Sequence, residues 1–339
     1  MINTLIVDDS SLVRDILRDF LESDGSFNII GEAADGEEGL QKILSLNPDL
    51  VTLDVEMPKM TGLQVIDAAM KQTFVPIVVI TSLDTAATAY EATMRGALEF
   101  YSKEVFSSSL SPAKKNAVYE TLKRISGIKK KAAAEIPAAA EGSPPEPREI
   151  HAVVIASSTG GPKALAKFCS LLPEDFAVPI AIVQHNDSGF DKSFAEWLDA
   201  RASLQVKLAE EGETPKRGTI YIAQTDRHLM LERLNAGGYC FTYNDGEPES
   251  NQKPAADALF RSAAESMREA VISVVLTGMG SDGARGTQKI REMGGITLAQ
   301  DEETSLIYGM PKAAAETGCV DLVLPLERIP GELVRLIKC

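Results

Sequence analysis

Residues 152–165 read AVVIASSTGGPKAL, and this stretch decides the fold of the second half of the chain. Its first five residues are apolar and predict a strand, which runs into a turn of small residues. Gly160 and Gly161 let the backbone turn tightly before a helical pattern begins. A strand, a tight turn and a helix in this order are typical of a doubly wound α/β domain with a parallel sheet.

The same alternation continues to the end of the chain. One stretch, 228–244, instead predicts an antiparallel hairpin. We therefore expect a Rossmann-like, three-layer domain over residues 150–339, with this hairpin as a small antiparallel addition. Its predicted strands lie at 152–156, 179–183, 219–223, 271–276, 295–299 and 320–324, and its predicted helices near 161–172, 190–201, 257–268, 283–293 and 326–338.

Upstream, five strand-and-helix units in about 125 residues predict a second doubly wound domain at 1–126. Between the two domains, residues 127–149 consist mainly of Ala, Pro, Glu and Lys and carry almost no bulky apolar side chains. Such a segment buries too little surface to offset its ordering entropy, so we expect a flexible linker. The predicted strands of the first domain are 4–7, 27–33, 50–53, 76–80 and 98–101, and its helices lie near 11–22, 36–46, 62–71, 84–95 and 111–125.

Composition narrows the function classes. The 339 residues carry a formal net charge of -15, which argues against a nucleic-acid partner because phosphate binding needs a basic surface. The four cysteines form no CxxC pair and no metal-ligand spacing. The N-terminus MINTLIVDDSS lacks the pattern of a signal peptide, and no run approaches 18 apolar residues. We therefore predict a cytoplasmic protein without membrane insertion.

Charged and polar side chains follow the predicted strands of the first domain. Asp8 and Asp9 end the first strand, Asp54 the third, Thr81 the fourth and Lys103 the fifth. Carboxyl ends of parallel strands meet at one edge of a sheet, so these side chains should gather there. Three carboxylates need a cation, and oxygen ligands suit magnesium. A metal-neutralised aspartate can then accept a phosphoryl group, whose charge a lysine balances.

The second domain places three other residue types at the same kind of edge. Ser158 lies in the turn after the first strand, His185 follows the second, and Asp282 lies in the loop TGMGSDGARG after the strand at 271–276. A hydroxyl, an imidazole and a carboxylate meet the requirement for a nucleophile, its base and an orienting acid. The sequence therefore predicts a serine hydrolase.

A dinucleotide site is the strongest alternative from the residues alone. Gly278, Gly280 and Gly283 match GxGxxG after a strand, and the next strand ends in Asp301, about where a ribose-binding acid would lie. Against this alternative, the motif occurs late in the chain, and Asp282 inside the loop would crowd a pyrophosphate.

The segments LIVDDS, LVTLDVEMPKMTGLQVI, VVITS and GALEFYSK make residues 2–125 resemble the receiver domain of response regulators. The resemblance implies a flavodoxin-like fold and phosphorylation of Asp54. The family usually has proline after the lysine, often in cis, whereas this chain has Glu104, so we expect a trans or strained bond there. The resemblance further implies a Mg²⁺ site formed by Asp8, Asp9, Asp54 and the carbonyl of Glu56, phosphoryl contacts from Thr81 and Lys103, and a switch aromatic at Phe100.

The segments IASSTGGPKAL, IAIVQH, VVLTGMGSDGARG and AQDEETSLIYGMPKAA make residues 150–339 resemble the catalytic domain of chemotaxis protein-glutamate methylesterases. The resemblance implies hydrolysis of methyl esters on chemoreceptor glutamates, often with deamidation of receptor glutamines, and no cofactor for ester hydrolysis. It makes Ser158 the nucleophile, His185 the base and Asp282 its orienter. Thr159 would support the histidine, and the backbone N–H of Met279 would help form the oxyanion hole.

The two resemblances together imply control of the hydrolase by a chemotaxis histidine kinase that phosphorylates Asp54. We expect the unphosphorylated receiver to hinder receptor access to Ser158. The family usually continues QH with Met-Pro, whereas this chain has Asn186 and Asp187. That departure keeps one further alternative open, a non-catalytic adaptor whose second domain only binds receptors.

Overall fold

The computed structural model describes residues 1–82, 86–106, 110–128 and 145–338. The chain divides into two compact units, Met1–Ala133 and Ala134–Cys339. Of the predicted linker at 127–149, residues 129–144 lie outside the described residues, so the linker and the domain boundaries at 126 and 150 stay predictions. None of the described helices combines the length and the apolar character that crossing a bilayer requires.

The first unit has a five-stranded parallel sheet, as the sequence predicts, and its strand order is β2-β1-β3-β4-β5. A 3₁₀ turn at Lys103–Phe106 follows the last strand. The elements are β1 Ile2–Val7, α1 Ser11–Glu22, β2 Phe27–Ala33, α2 Gly36–Leu46, β3 Leu50–Leu53, α3 Gly62–Gln72, β4 Ile77–Thr81, α4 Ala86–Arg95, β5 Glu99–Ser102 and α5 Pro112–Ser126.

Side-chain caps fix the starts of the helices that follow the strand ends. The Ser10 side chain accepts from the backbone N–H of Val13, so α1 begins directly after the acidic pair at the end of β1. Thr61 forms a capping box with Gln64 at the start of α3. Each such cap contributes about 1 kcal/mol to stability. The caps therefore hold the loops that carry the acidic residues in register with the sheet.

The second unit has a seven-stranded parallel sheet in the order β15-β14-β13-β7-β8-β10-β9, an antiparallel hairpin β11-β12 and a short parallel pair β16-β6. The predicted hairpin at 228–244 is thus confirmed. The elements are β6 Arg148–Glu149, β7 Ala152–Ser157, α6 Gly161–Ser170, β8 Ile180–Gln184, α7 Asp191–Asp199, β9 Gln205–Leu208, β10 Thr219–Ile222, β11 His228–Arg233, β12 Tyr239–Asn244, α8 Ala256–Met267, β13 Val271–Val275, α9 Ala284–Glu292, β14 Ile296–Gln300, α10 Met310–Glu316, β15 Leu322–Leu324, α11 Ile329–Leu336 and β16 Ile337–Lys338.

Strand β7 is the centre of this sheet. The chain passes from β7 to β8 on one side and reaches β13 on the other side only later, so the strand order reverses at β7. Doubly wound folds bind their ligands at such a switch point, outside the carboxyl ends of the strands. Residues 152–156 of β7 are all at most 2% exposed, as expected for a parallel strand covered on both faces.

Two elements of the second unit differ from the prediction. Strand β9, Gln205–Leu208, was not predicted because it has only four residues at the edge of the sheet, and Gln205 is exposed. Helix α10, Met310–Glu316, was not predicted either, because seven residues that begin with Met-Pro give no extended helical pattern. The predicted helix near 326–338 is also shorter, since a 3₁₀ turn at Leu326–Arg328 precedes α11 and β16 follows it.

Candidate active site

The three residues predicted to carry the hydrolytic chemistry follow three adjacent strands. Ser158 follows β7, His185 follows β8 and Asp282 lies in the loop after β13. The parallel register pairs Ser157 with Gln184, so the two residues that follow these strands lie at the same level of the sheet. Backbone hydrogen bonds from Ser158 N to Thr277 O (3.0 Å) and from His185 N to Ser157 O (3.0 Å) continue the ladder beyond the strands.

The imidazole of His185 is bound to the carboxylate of Asp282. His185 Nε2 lies 2.8 Å from Asp282 Oδ2, and both side chains are buried. The start of helix α8 lacks a side-chain cap of its own, and Asp282 supplies one from another loop. Its Oδ2 accepts from Ala256 N at 2.7 Å and its Oδ1 from Asp257 N at 2.9 Å. The partial positive charge of a helix N-terminus stabilises a carboxylate in this position.

These contacts keep Asp282 ionised. Burial by itself would raise the pKa of Asp282, but the hydrogen bond and charge of His185 and the backbone N–H groups of Asp257 and Ala256 outweigh burial. The net effect is a pKa below the ordinary value. An ionised carboxylate can accept a hydrogen bond only from an Nε2 that carries a proton. The contact therefore fixes both the tautomer and the orientation of the ring.

The other ring nitrogen of His185 is not engaged. Nδ1 is buried and has no hydrogen-bond partner in the described part of the chain. Within the same residues, the Ser158 hydroxyl donates no side-chain hydrogen bond, so the serine-to-imidazole link is not formed. Catalytic hydrogen bonds in enzymes without substrate are often long and tighten only in the complex. With Nε2 held by Asp282, Nδ1 is the nitrogen left to serve as base.

Ser158 lies against the loop that carries the predicted oxyanion donor. A Cβ on Gly278 would come within 2.8 Å of Ser158 Cβ and 3.1 Å of Ser158 N, so only glycine fits there. Gly278 O accepts from Met310 N at 2.8 Å, which fastens this loop to the start of α10. Met279 is the next residue, so its backbone lies close to Ser158.

Thr159 is buried, and its carbonyl accepts from Thr277 Oγ1 at 3.0 Å. No hydrogen bond joins Thr159 to His185 among the residues that the structure describes. Its predicted support of the histidine therefore stays a prediction and would act through packing rather than through a hydrogen bond.

Two side chains to which the sequence analysis gave no role hold the start of α8. His228 is buried, its Nδ1 accepts from Ala255 N at 3.1 Å, and its Nε2 lies 3.0 Å from the carbonyl of Glu247. Asp257 accepts from the backbone N–H of Gly286 at 2.7 Å. Burial, together with the charge of the neighbouring Asp282 carboxylate, raises the pKa of Asp257. No short motif signals either role, because each contact joins residues far apart in the chain.

The structure does not support a dinucleotide site at the GxGxxG motif of residues 278–283. The start of α9, where a pyrophosphate would bind, is already occupied by carboxylates: Gly283 N donates to Asp282 at 3.0 Å and Gly286 N to Asp257. Asp301 accepts from the backbone N–H of Thr304 at 2.9 Å and caps its own turn. These groups satisfy each other and leave no donor set for a dinucleotide.

The acidic residues of the first unit meet at one edge of its sheet. Asp8, Asp9 and Asp54 each offer a carboxylate oxygen, and these atoms lie within 4.8 Å of one another. Lys103 Nζ lies 2.7 Å from Asp54 Oδ2 and 3.0 Å from Asp8 Oδ2. Asp8 Oδ2 is buried, and its contact with the lysine does not have hydrogen-bond geometry. A buried carboxylate oxygen without a hydrogen bond, beside two further carboxylates, is suited to act as a Mg²⁺ ligand.

Charge and burial tune this cluster. Burial raises the pKa of Asp8, an effect that Asp54 adds to and Lys103 opposes. Burial disfavours the charged form of Lys103, but its hydrogen bond to Asp54 and the negative charges of Asp54 and Asp8 outweigh burial, so the pKa of Lys103 rises. The lysine thus stays cationic between the two carboxylates.

The remaining predicted receiver residues lie near this edge. Thr81 is buried at the end of β4, and the buried ring of Phe100 packs edge-on against Tyr90 at 4.9 Å. The side chain of Glu56 is exposed, which suits a ligand that acts through its carbonyl. The bond between Lys103 and Glu104 is trans, because the only cis bond among the described residues precedes Pro254. Lys103 reaches Asp54 in spite of the missing proline.

Comparisons with known proteins match both halves. Residues 153–333 match the family model described as CheB methylesterase, and residues 4–113 match the model described as response regulator receiver domain. The chain is 41% identical over 354 residues to a protein-glutamate methylesterase/protein-glutamine glutaminase of Pyrococcus horikoshii, covering 99% of this chain and 94% of the relative. It is 37% identical over 341 residues to the protein of the same name from Thermotoga maritima, covering 99% of both chains.

A solved structure supports the fold of the second unit. The crystal structure of the Thermotoga maritima CheB methylesterase catalytic domain aligns with a TM-score of 0.54 and 43% sequence identity. The alignment covers 56% of this chain and all of the solved one. Both resemblances drawn from the sequence are thus confirmed. The chain belongs to the CheB methylesterase family, in the form that places a response regulator receiver domain before the methylesterase domain.

Proposed function

We propose that this chain is a phosphorylation-controlled serine hydrolase that removes methyl esters from chemoreceptor glutamates. The observation that carries the proposal is the hydrogen bond between His185 and Asp282 at the switch point of the sheet, one strand away from Ser158. A buried imidazole held by a buried, ionised carboxylate is the arrangement that activates a neighbouring hydroxyl. The family membership supplies the substrate class, a protein glutamate ester.

The reaction proceeds by acyl transfer. The Ser158 hydroxyl attacks the ester carbonyl while His185 Nδ1 takes its proton, and Asp282 stabilises the imidazolium through Nε2. The backbone N–H of Met279 donates to the oxyanion, a contact worth about 3–4 kcal/mol at the transition state. His185 then returns the proton to the leaving methoxide, which departs as methanol. A water molecule, activated by the same nitrogen, hydrolyses the acyl-enzyme to glutamate.

The same groups serve the deamidation of receptor glutamines. Attack on a side-chain amide forms the same acyl-enzyme, and His185 protonates the leaving –NH₂ group, which departs as ammonia instead of methanol. Both substrates therefore yield glutamate from one site. Neither reaction uses a cofactor in this proposal.

The receiver controls this activity. Asp8, Asp9, Asp54 and the carbonyl of Glu56 would hold Mg²⁺, whose charge would offset that of the carboxylates. Asp54 would accept a phosphoryl group from a chemotaxis histidine kinase. Lys103 and Thr81 bind the phosphoryl oxygens, and Phe100 takes part in the switch. Phosphorylation shifts the population toward an arrangement that admits the receptor. We place these reactions in the cytoplasm.

The non-catalytic adaptor has one observation in its favour, the absent hydrogen bond between Ser158 and His185. An assay of methanol release from membranes that carry methylated receptors separates the two functions. The intact protein, with Mg²⁺ and acetyl phosphate as phosphodonor, should release methanol and should do so faster than without the phosphodonor. Receptor binding without methanol release under both conditions would establish the adaptor instead.

A further inference from the structure

The buried side chain of Gln184 joins the serine turn to the histidine loop. Gln184 is the last residue of β8 and directly precedes His185. Its Oε1 lies 2.7 Å from Ser157 Oγ, and its Nε2 lies 3.1 Å from Ser158 O and 2.9 Å from His185 O. One amide therefore contacts the backbone of both the nucleophile and the base.

The orientation of this amide follows from its partners. Backbone carbonyl oxygens only accept, so the group that faces Ser158 O and His185 O must be the NH₂. The oxygen then accepts from the hydroxyl of Ser157. Both N–H groups and the oxygen of this buried amide bond to other groups of the protein. A polar side chain needs such partners to be buried without a large desolvation cost.

The surrounding backbone leaves room for this side chain and for little else. A Cβ on Gly161 would collide with Gln184 Oε1, so the second glycine of the turn is needed to admit the amide. Gly161 N donates to Ser158 O at 2.7 Å, so the carbonyl of the nucleophile accepts from the start of α6 as well as from Gln184. Gly161 is thus needed both for the tight turn and for the space that the Gln184 side chain occupies.

We propose that Gln184 is a positioning residue for the hydrolysis, one that sets the distance between the Ser158 hydroxyl and the His185 ring. This inference rests on the proposed function. The two catalytic groups lie on different strands and share no hydrogen bond, so their spacing depends on what ties their backbones together. The ladder bond from His185 N to Ser157 O is one tie, and the Gln184 amide, with donors to both residues, is the other.

Gln184→Glu tests this role with an almost isosteric side chain. A carboxylate cannot donate to Ser158 O and His185 O, so it should push the two loops apart. Since a misplacement of about 1 Å can cost on the order of 100-fold in rate, we expect kcat to fall about 100-fold while KM changes less than about threefold. Gln184→Met removes all three hydrogen bonds without adding charge and should lower kcat in the same way but less. Gln205→Glu adds the same acid at an exposed position of the edge strand β9 and serves as the matched control.

Two readouts keep this test separate from the substrate assignment. Methanol release reports the receptor reaction, and cleavage of a small activated ester such as p-nitrophenyl acetate reports the nucleophile and base without receptors. Fluorescence of Trp197, the one tryptophan of the chain, gives the folded fraction of each variant. The inference is supported if both Gln184 variants are folded and lose kcat on either substrate relative to Gln205→Glu.

A folded Gln184→Glu or Gln184→Met with the kcat of the control would overturn the inference, as would a loss fully explained by the unfolded fraction. If the wild type cleaves the activated ester but releases no methanol, the proposed substrate is wrong while Gln184 is still tested. If the wild type cleaves neither substrate, both the proposed function and the positioning role are wrong.

Discussion

His185 Nε2 lies 2.8 Å from Asp282 Oδ2, while the buried Nδ1 of the same ring has no hydrogen-bond partner within the described ranges. Leaving a buried acceptor or donor unpaired costs about 1–3 kcal/mol, so an unpaired nitrogen beside the predicted nucleophile calls for an explanation. This relationship assigns the two nitrogens to different tasks. Nε2 fixes the ring through Asp282, and in the proposed mechanism Nδ1 takes the proton of Ser158.

Asp282→Asn should therefore abolish most of the activity. Asparagine keeps the size of the side chain but loses the charge that stabilises the imidazolium, and its amide favours the wrong tautomer of His185. We expect methanol release to fall about 10³- to 10⁴-fold. Asp321→Asn, directly before β15, is a suitable control because it changes an acid that accepts from Thr297 and pairs with Arg291. Equal rates in the two variants would remove Asp282 from the mechanism.

The same substitution should change the pH dependence of stability. The pKa of Asp282 is lower in the folded protein, so its ionisation stabilises the fold fully above the unfolded pKa of about 3.9 and this contribution is lost as pH falls further. The free energy of unfolding, followed by Trp197 fluorescence, should be higher in the wild type than in Asp282→Asn near neutrality. The difference should shrink below about pH 4. A difference that stays constant down to pH 3 would show that the surroundings of Asp282 do not lower its pKa.

How much of this site can be predicted from the sequence depends on how far apart in the chain the contacting residues lie. Ser158 and His185 could be predicted because each directly follows a strand, and parallel strands bring their carboxyl ends together. Asp282 required only one further step, the assignment of the apolar run at 271–276 to the same sheet. The roles of His228 and Asp257 could not be predicted, because their partners are backbone N–H groups 27 and 29 residues away in the chain.

The sequence also does not predict which ring nitrogen of His185 contacts Asp282. A strand pattern indicates that His185 lies at the carboxyl edge of the sheet. Which nitrogen meets Asp282 depends on the start of α8, whose backbone N–H groups donate to the carboxylate. The fold as a whole was more predictable, since apolar runs and turns repeat through the chain. The edge strand β9 and the seven-residue helix α10 are too short to give a recognisable pattern.

Gly278→Ala should inactivate the enzyme from the oxyanion side. The added methyl group would collide with Met310 Sδ and come within 2.8 Å of Ser158 Cβ, well inside the van der Waals contact distance. The flexible end of Met310 can yield, but Ser158 Cβ is attached directly to the backbone of its turn. The serine or the loop at Met279 must then move, and we expect kcat to fall about 100-fold. Gly331→Ala, where an added Cβ meets nothing within 4 Å, is the matched control. Full activity of Gly278→Ala would mean that the loop does not approach the nucleophile.

Asp54→Asn should separate the control of the enzyme from its chemistry. Asparagine cannot form an acyl phosphate, so acetyl phosphate with Mg²⁺ should no longer accelerate methanol release. The rate without phosphodonor should remain measurable, because the catalytic groups lie in the other unit. Asp19→Asn, an exposed acid on α1, should keep the acceleration. Acceleration that survives in Asp54→Asn would place the regulatory phosphorylation elsewhere.

The most direct test of the account is methanol release by Ser158→Ala, compared with Ser170→Ala at the exposed end of the same helix-turn segment. The assay uses the full chain, methylated receptor membranes and a check of folding by Trp197 fluorescence. We predict a loss of at least about 10³-fold for Ser158→Ala and none for Ser170→Ala. Methanol release by a folded Ser158→Ala at the wild-type rate would contradict the account.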